Sequence, residues 1–371
     1  MPSIGFDAGP NRLYTLHREP IRWCLSLRRL AIQHYDILIV GAGPTGLACA
    51  IEAKRHNLSC LVIEKGCVVN SVYHYPVNMV FFTTPELLEI GEIPMVSVRE
   101  KPTRTEALKY YRLVAQHFSL DVHQYEEVTR VQGKDGHFAI ETTRQDGAVG
   151  RYESKKLILA MGYYDRPNML GVPGENLPKV AHYYTEAHPY ANCDVAVIGG
   201  RNSAAETALD LYRHGARVTL IHRSAKLSDK IKYWVRPDIE NRIQNKEIQA
   251  LFNTQILEIR PDSIVVAPAH SSESTEEHIS SQTHIRTVKN DFVFAMTGYH
   301  PDTDFLRQLG VEIEPRRMRP YCDPSTLESN VKGLYLAGVI IAGLDTNEIF
   351  IENGRHHGKQ ILTDIAAKLS H

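Results

Sequence analysis

The sequence has no Cys-x-x-Cys pair; its six cysteines, Cys24, Cys49, Cys60, Cys67, Cys193 and Cys322, are scattered. That scatter excludes a local dithiol motif, and the lack of Cys/His pairs at ligand spacing excludes a zinc site. Reduced thiols are the expectation, as in large intracellular domains. Net charge is nearly missing too, at -1, so no global field gathers nucleic acid or an anionic membrane. No apolar run approaches the roughly 18 residues of a membrane-spanning helix. The first 34 residues carry Arg12, Arg18, Arg22, Arg28 and Arg29 but lack the apolar core of a signal peptide, which predicts a loosely ordered extension. These absences predict a cytoplasmic protein without nucleic-acid or membrane partners, and leave homo-oligomerisation open.

What is present is a strand–helix alternation over a chain of 371 residues, long enough for two domains. "YDILIV" is a continuous apolar strand, "GLACAIEAKRH" has helical spacing, and "CLVIEK" is a second strand. Residues 73–102 are rich in aromatics and prolines without a clear period, and so long an irregular segment points to function. "RTEALKYYRLVAQHF" predicts an amphipathic helix, and "YEEVTRVQGKDGHFAIETT" a hairpin turning at Asp135-Gly136. "KKLILAMG" is another buried strand. A second strand–turn–helix–strand unit runs from about Asn192 to Ser224, and the polar tract "AHSSESTEEHISSQTH" predicts an exposed hairpin loop. "NDFVFAMTG" and "GLYLAG" are strands before a closing helix. The fold class is therefore α/β, with two Rossmann-like three-layer dinucleotide-binding domains, one inserted into the other. Residues 35–165 and 291–371 form the outer domain and residues 166–290 the inserted one.

The two glycine turns carry the chemistry. In "GAGPTG", Gly41 allows the sharp strand-to-helix turn, Gly43 admits a pyrophosphate to the backbone, and Gly46 lets helix and strand pack closely; Pro44 and Thr45 complete the turn. The helix N-terminus then presents free N–H groups and a positive dipole end. Glu64, followed by Lys65, ends the next strand at the spacing of a ribose-binding acid. A carboxylate there repels a 2′-phosphate, which favours FAD or NAD. The second turn, "GGRNSA", has Gly199 and Gly200 but Arg201 where glycine is usual. Asn202 or Ser203 can cap the helix, and Ala204 is small enough for close packing. After its second strand come His222 and Arg223 in place of an acid, and arginine suits a 2′-phosphate. This site is read as NADPH-binding.

The phrases "IEKGCVVNSVYHYP", "MGYYDRPN", "VIGGRNSAAE", "NDFVFAMTGYHPDTDFL" and "AGVIIAGLDTNEIFIENGRHHG" resemble the two-dinucleotide-binding flavoproteins, and among them the bacillithiol-disulfide reductase family. The likeness runs from about Tyr35 to the C-terminus, with the polar tract a local departure. It implies FAD in the outer domain and NADPH in the inserted one. It implies that Asn70, Ser71, Tyr73 and His74 approach the isoalloxazine, and that Gly162 and Gly298 end strands at the domain junctions. Gly338 lies where such flavoproteins usually have Gly-Asp; here Val339 follows. His182, His188, His356 and His357 are read as supporting or surface residues rather than acid catalysts.

The implied reaction passes hydride from NADPH to flavin and electrons on to a small-molecule disulfide, with bacillithiol disulfide the favoured acceptor. Members of the family often have cysteine in the first glycine turn, where this chain has Thr45. No catalytic side chain is assigned, because the flavin carries the chemistry. A helix starting near Asn353-Gly354 is expected to aim its amides at the flavin pyrimidine edge. Three rivals stay open: a reductase of a ferredoxin-like redox protein, a flavin monooxygenase, and a non-catalytic sensor that binds both nucleotides.

Overall fold

The computed structural model describes residues 32–269, 285–345 and 348–370. The chain enters with β1 (Gln33–Val40), α1 (Pro44–Arg55) and β2 (Cys60–Glu64). Next come α2 (Asn70–Tyr73), α3 (Pro85–Leu88), α4 (Arg104–His117) and β3 (Val122–Gln124), then β4 (Glu126–Lys134), β5 (His137–Arg144) and β6 (Val149–Leu159). The middle of the chain holds β7 (Val180–Ala181), β8 (Asp194–Ile198), α5 (Asn202–Arg213), β9 (Arg217–Ile221) and α6 (Arg236–Gln244). It continues through β10 (Gln249–Leu251), β11 (Thr254–Ile259), β12 (Ser263–Pro268), β13 (Arg286–Lys289) and β14 (Phe292–Ala295). The return consists of α7 (Thr303–Gln308), β15 (Leu334–Leu336), α8 (Ile351–Gly354) and α9 (His357–Leu369).

The first sheet is ordered β3-β2-β1-β6-β5-β4, and β15 also pairs with β6. Strand β6 has three partners: β1 parallel along one edge, and along the other β5, antiparallel over residues 149–154, then β15, parallel over residues 157–159. The parallel strands read as unbroken apolar runs because both their faces are covered. Ile37, Leu38 and Ile39 of β1 and Leu157, Ile158 and Leu159 of β6 are fully buried. Each such side chain contributes about 2 kcal/mol of transfer free energy. Helices α1 and α9 cover one face, joined at Gly358, where a Cβ would stand 2.8 Å from the Ala48 carbonyl carbon.

The second sheet is all parallel, ordered β10-β9-β8-β14-β7, and a third of β11-β12-β13 is antiparallel. Strands β12 and β13 flank the polar tract, which lies, apart from Ala269, outside the described residues, as does nearly all of the N-terminal extension. The 73–102 segment is largely irregular, as read, but α3 forms one turn inside it. One feature of β4 escaped the pattern: its register with β5 shifts between Val128 and Arg130, a bulge that hydrophobic alternation does not reveal.

Candidate functional site

The first glycine turn joins β1 to α1, and its three glycines do three different things. Gly41 has φ +104° and a Cβ would stand 2.6 Å from the Ala160 carbonyl oxygen, so only glycine turns here. At Gly46 a Cβ would fall 1.9 Å from the Gly41 oxygen, the close helix–strand contact. At Gly43, which precedes α1, a Cβ would meet nothing within 4 Å. The space beside Gly43 belongs to a cavity of about 460 Å³, within the range of ligand clefts.

Glu64 lines that cavity but is already engaged. Its two carboxylate oxygens accept the Ala42 and Gly66 N–H groups, each at 2.8 Å. Burial raises its pKa while the two amides oppose the rise. Glu64 therefore locks the turn from the cavity wall. Val69 supports the same turn by donating its N–H to the Ala42 oxygen at 2.9 Å. It does so from the left-handed region, at φ 53° and ψ 45°. A buried β-branched residue held there costs about 1–2 kcal/mol, strain that the turn's packing sustains.

Beyond the turn the cavity runs along the carboxyl ends of the parallel strands, where open α/β sheets place their ligands. Pro44, Thr45, Lys65, Asn70, Ser71, Gly162, Gly338 and Val339 all line it, and Lys65 pairs with Asp165 across it at 2.9 Å. Tyr73 and His74 do not, which corrects that expectation. Tyr73 is about half exposed, with its ring against the Arg104 guanidinium, and the His74 Nδ1 lies 2.9 Å from the Asn70 oxygen. The single turn of α2 directs Asn70 and Ser71 inward and Tyr73 outward; Tyr75 takes the place on the wall. Sequence reasoning also missed Val128 and Thr129 at the bulge, Tyr163 and Tyr164 after β6, and Phe350. The aromatic-rich "GYYDRP" was a visible signal for the tyrosines; the bulge had none.

The helix expected to begin at Asn353-Gly354 is also corrected. Those two residues end the short α8, and the long helix starts at His357. The Asn353 Oδ1 accepts the Phe350 N–H at 2.8 Å, closing the turn on itself. Gly354 is buried, with a Cβ position 3.2 Å from Thr45 Oγ1.

The second glycine turn joins β8 to α5. Gly199 has φ +146°, and a Cβ would meet the Met296 oxygen at 2.4 Å and the Ala204 Cβ at 2.9 Å, so Ala204 is the small residue the packing needs. The His222 ring lies directly on Gly200, where a Cβ would be 2.4 Å from the imidazole Cε1. Burial and the neighbouring Arg223 lower the His222 pKa. Capping differs from the expectation: Arg201 is the N-cap and no side chain caps α5. The Asn202 amide instead holds the following loop, accepting the Lys232 N–H at 2.9 Å and donating to the Lys230 oxygen at 3.3 Å. Ser203 is exposed in the first turn of α5. The Arg201 and Arg223 side chains are exposed and make no ion pair or hydrogen bond among the described residues.

Gly162 and Gly298, at φ +71° and +89°, stand where β6 and β14 lead out of their sheets. Asn168 bridges the two crossing segments, its N–H donating to the Gly298 oxygen at 2.9 Å. No cysteine among the described residues lines the cavity. Burial pushes the Cys49 thiol up to about 12 and raises those of Cys60, Cys67 and Cys322, so none of these is poised as a thiolate. No His, Cys, Asp and Glu cluster that would hold a metal occurs among the described residues.

Two glycine turns at the carboxyl ends of parallel strands in two sheets, one opening on a long cavity, define a double nucleotide-binding architecture. The chain belongs to the pyridine nucleotide-disulphide oxidoreductase family, whose model matches residues 38–338, and it is an oxidoreductase of the flavin- and nicotinamide-dependent kind. Within that family it is 44% identical over 335 residues to the bacilliredoxin reductase Bdr of Bacillus subtilis (strain 168), covering 90% of this chain and 98% of the relative. It superposes on the solved bacillithiol disulfide reductase Bdr (YpdA) from Bacillus cereus with a TM-score of 0.85 at 43% identity, over 91% of this chain and 100% of the other. The Staphylococcus aureus protein of the same title gives 0.82 at 40% identity, over 91% and 99%.

Proposed function

We propose that the chain is an FAD-dependent NADPH oxidoreductase that reduces a low-molecular-weight thiol disulfide, with bacillithiol disulfide as the acceptor. In this reading residues 35–165 and 291–371 bind FAD and residues 166–290 bind NADPH, with β14 (Phe292–Ala295), a strand of the second sheet, moved to the NADPH side. The observation that carries it is the open space beside Gly43 on the wall of the cavity, next to a turn whose shape Gly41 and Gly46 fix. The residues fit a flavin dinucleotide: backbone at Gly43 for a pyrophosphate, Glu64 for a ribose, and an aromatic wall of Tyr75, Tyr163 and Tyr164 for a flat ring system.

When bound, the flavin supplies two-electron chemistry, so that NADPH, a proton and the disulfide become NADP⁺ and two thiols. The chain's own residues orient and select. Arg223, together with Arg201, would grip a 2′-phosphate with charge-assisted hydrogen bonds; both side chains are exposed and make no ion pair or hydrogen bond among the described residues. Thr45 stands in the first turn and no cysteine among the described residues lines the cavity, so in this reading the acceptor disulfide itself approaches the flavin edge. A second reading, favoured by the name of the Bacillus subtilis relative, has a bacilliredoxin as the acceptor.

Anaerobic mixing with NADPH should bleach the flavin absorbance, and each candidate acceptor should restore it at its own rate. Bacillithiol disulfide, a bacilliredoxin mixed disulfide, glutathione disulfide and ferredoxin form the panel. No bleaching would mean a sensor, and reoxidation by ferredoxin alone would remove the disulfide reading. Arg223→Ala should raise the KM for NADPH by about tenfold or more, the worth of a charge-assisted bond, and leave NADH little changed. Equal losses with both nucleotides would remove Arg223 from the phosphate site.

A further inference from the structure

His357 opens α9, and its Nδ1 accepts the Gly338 N–H at 2.9 Å. Both ends of this bond are locked by contacts that leave no room for a side chain. On one side Gly358, the next residue of α9, is pressed against Ala48 and Cys49 of α1. On the other, Gly338 has φ +79° and a Cβ position 3.0 Å from Thr45 Oγ1, in the first glycine turn. The imidazole thus ties the end of β15, where Gly338 and Val339 line the cavity, to the helix packed on α1.

An imidazole nitrogen that accepts an N–H bears no proton, so the ring is the neutral tautomer with its proton on Nε2. Burial and His356 act in the same direction, holding the His357 pKa down at about 4. Among the described residues His357 makes no ion pair and no other side-chain hydrogen bond, and it does not cap α9. Gly338 has a donor to satisfy: it is buried, and without His357 its N–H would be left unmet.

We propose that His357 is a positioning residue for the flavin, holding the Gly338–Val339 peptide in place as the floor of the cavity. The proposal rests on the flavin reading above, and its test separates the two. His357→Phe, which removes the acceptor, should keep the fold by circular dichroism while raising the flavin dissociation constant about tenfold, the scale of one net hydrogen bond. His357→Asn, whose Oδ1 stands where Nδ1 does and can accept the same N–H, should stay within about threefold of wild type. Binding by the Phe variant within about twofold of wild type, or by the Asn variant as weak as by Phe, would overturn the proposal. Nitrogen NMR of the imidazole in flavin-stripped protein should show a bare Nδ1 coupled to the Gly338 amide and a protonated Nε2. A charged ring, or the other tautomer, would overturn it whatever the flavin does. Wild-type protein that takes up no flavin would instead strike down the flavin reading, with the His357–Gly338 bond still judged by the spectrum.

Discussion

Gly43 and Gly46 have the same side chain, three positions apart, and opposite reasons for it. A Cβ at Gly46 would collide with backbone, whereas a Cβ at Gly43 would enter empty space. Gly43→Val should therefore fold with an unchanged far-ultraviolet spectrum and yet purify colourless, because only the pyrophosphate competes for that volume. Normal flavin content in that variant would sink the placement of the phosphate. The spacing of the three glycines was legible because each answers a backbone demand. The directions of Tyr73 and His74 were not, because α2 is a single turn following a residue in the left-handed region, and no periodicity says which way so short a turn faces. Val69 itself was unreadable for the same reason: a valine at φ 53° is a tertiary imposition.

At the scale of the element, α4 shows a local signal that decides a boundary. Thr103 caps the helix: its Oγ1 accepts the Glu106 N–H at 3.2 Å, and Glu106 Oε2 accepts the Thr103 N–H at 2.7 Å. The backbone N–H groups of Thr103 and Val98 hold the Glu106 carboxyl down at about 2. Thr103→Ala should lower stability by about 1 kcal/mol, read as a shift of the urea midpoint without a change in slope. A lowered folded-state pKa means the Glu106 contribution is present above the unfolded value near 4.5 and fades as pH falls toward 2. The gap between wild type and Glu106→Gln should close over that window, and a gap independent of pH would contradict the capping role. The two βαβ units were equally legible, since each pairs a fully apolar strand with a helix of period 3.6. The α9 start was misplaced by a few residues because "NGRHHG" contains a glycine and an asparagine that suggest a cap, while the chain uses them to end α8.

At the scale of the described molecule, the two crossings between the first and second sheets are stitched by tyrosines. Tyr299 stacks on Tyr183 with centroids 5.4 Å apart and lies 4.6 Å from Tyr164. Its hydroxyl donates to the His182 oxygen at 3.0 Å, and the Tyr183 hydroxyl donates to the Tyr164 oxygen at 2.8 Å. Burial raises all three phenol pKa values, so they stay neutral throughout the working range. Tyr299→Ala should remove about 3 kcal/mol of packing from this junction and resolve one calorimetric transition into two as the sheets uncouple. A single transition at the wild-type temperature would show that the cluster does not join them.

What the amino-acid order determined alone was everything written in short-range demands: apolar runs for covered strands, helical periods, glycines at backbone turns, an acid after one unit and arginine after the other. What only the tertiary structure decided were relations between distant segments. These include the Ala42 and Gly66 amides on Glu64, the 129-residue separation bridged by Asn168 and Thr297, and the meeting of Gly338 with His357. The reason is physical. A local pattern reflects how one segment meets solvent and its own backbone, whereas a hydrogen bond across the fold exists only once packing has chosen which ends come together.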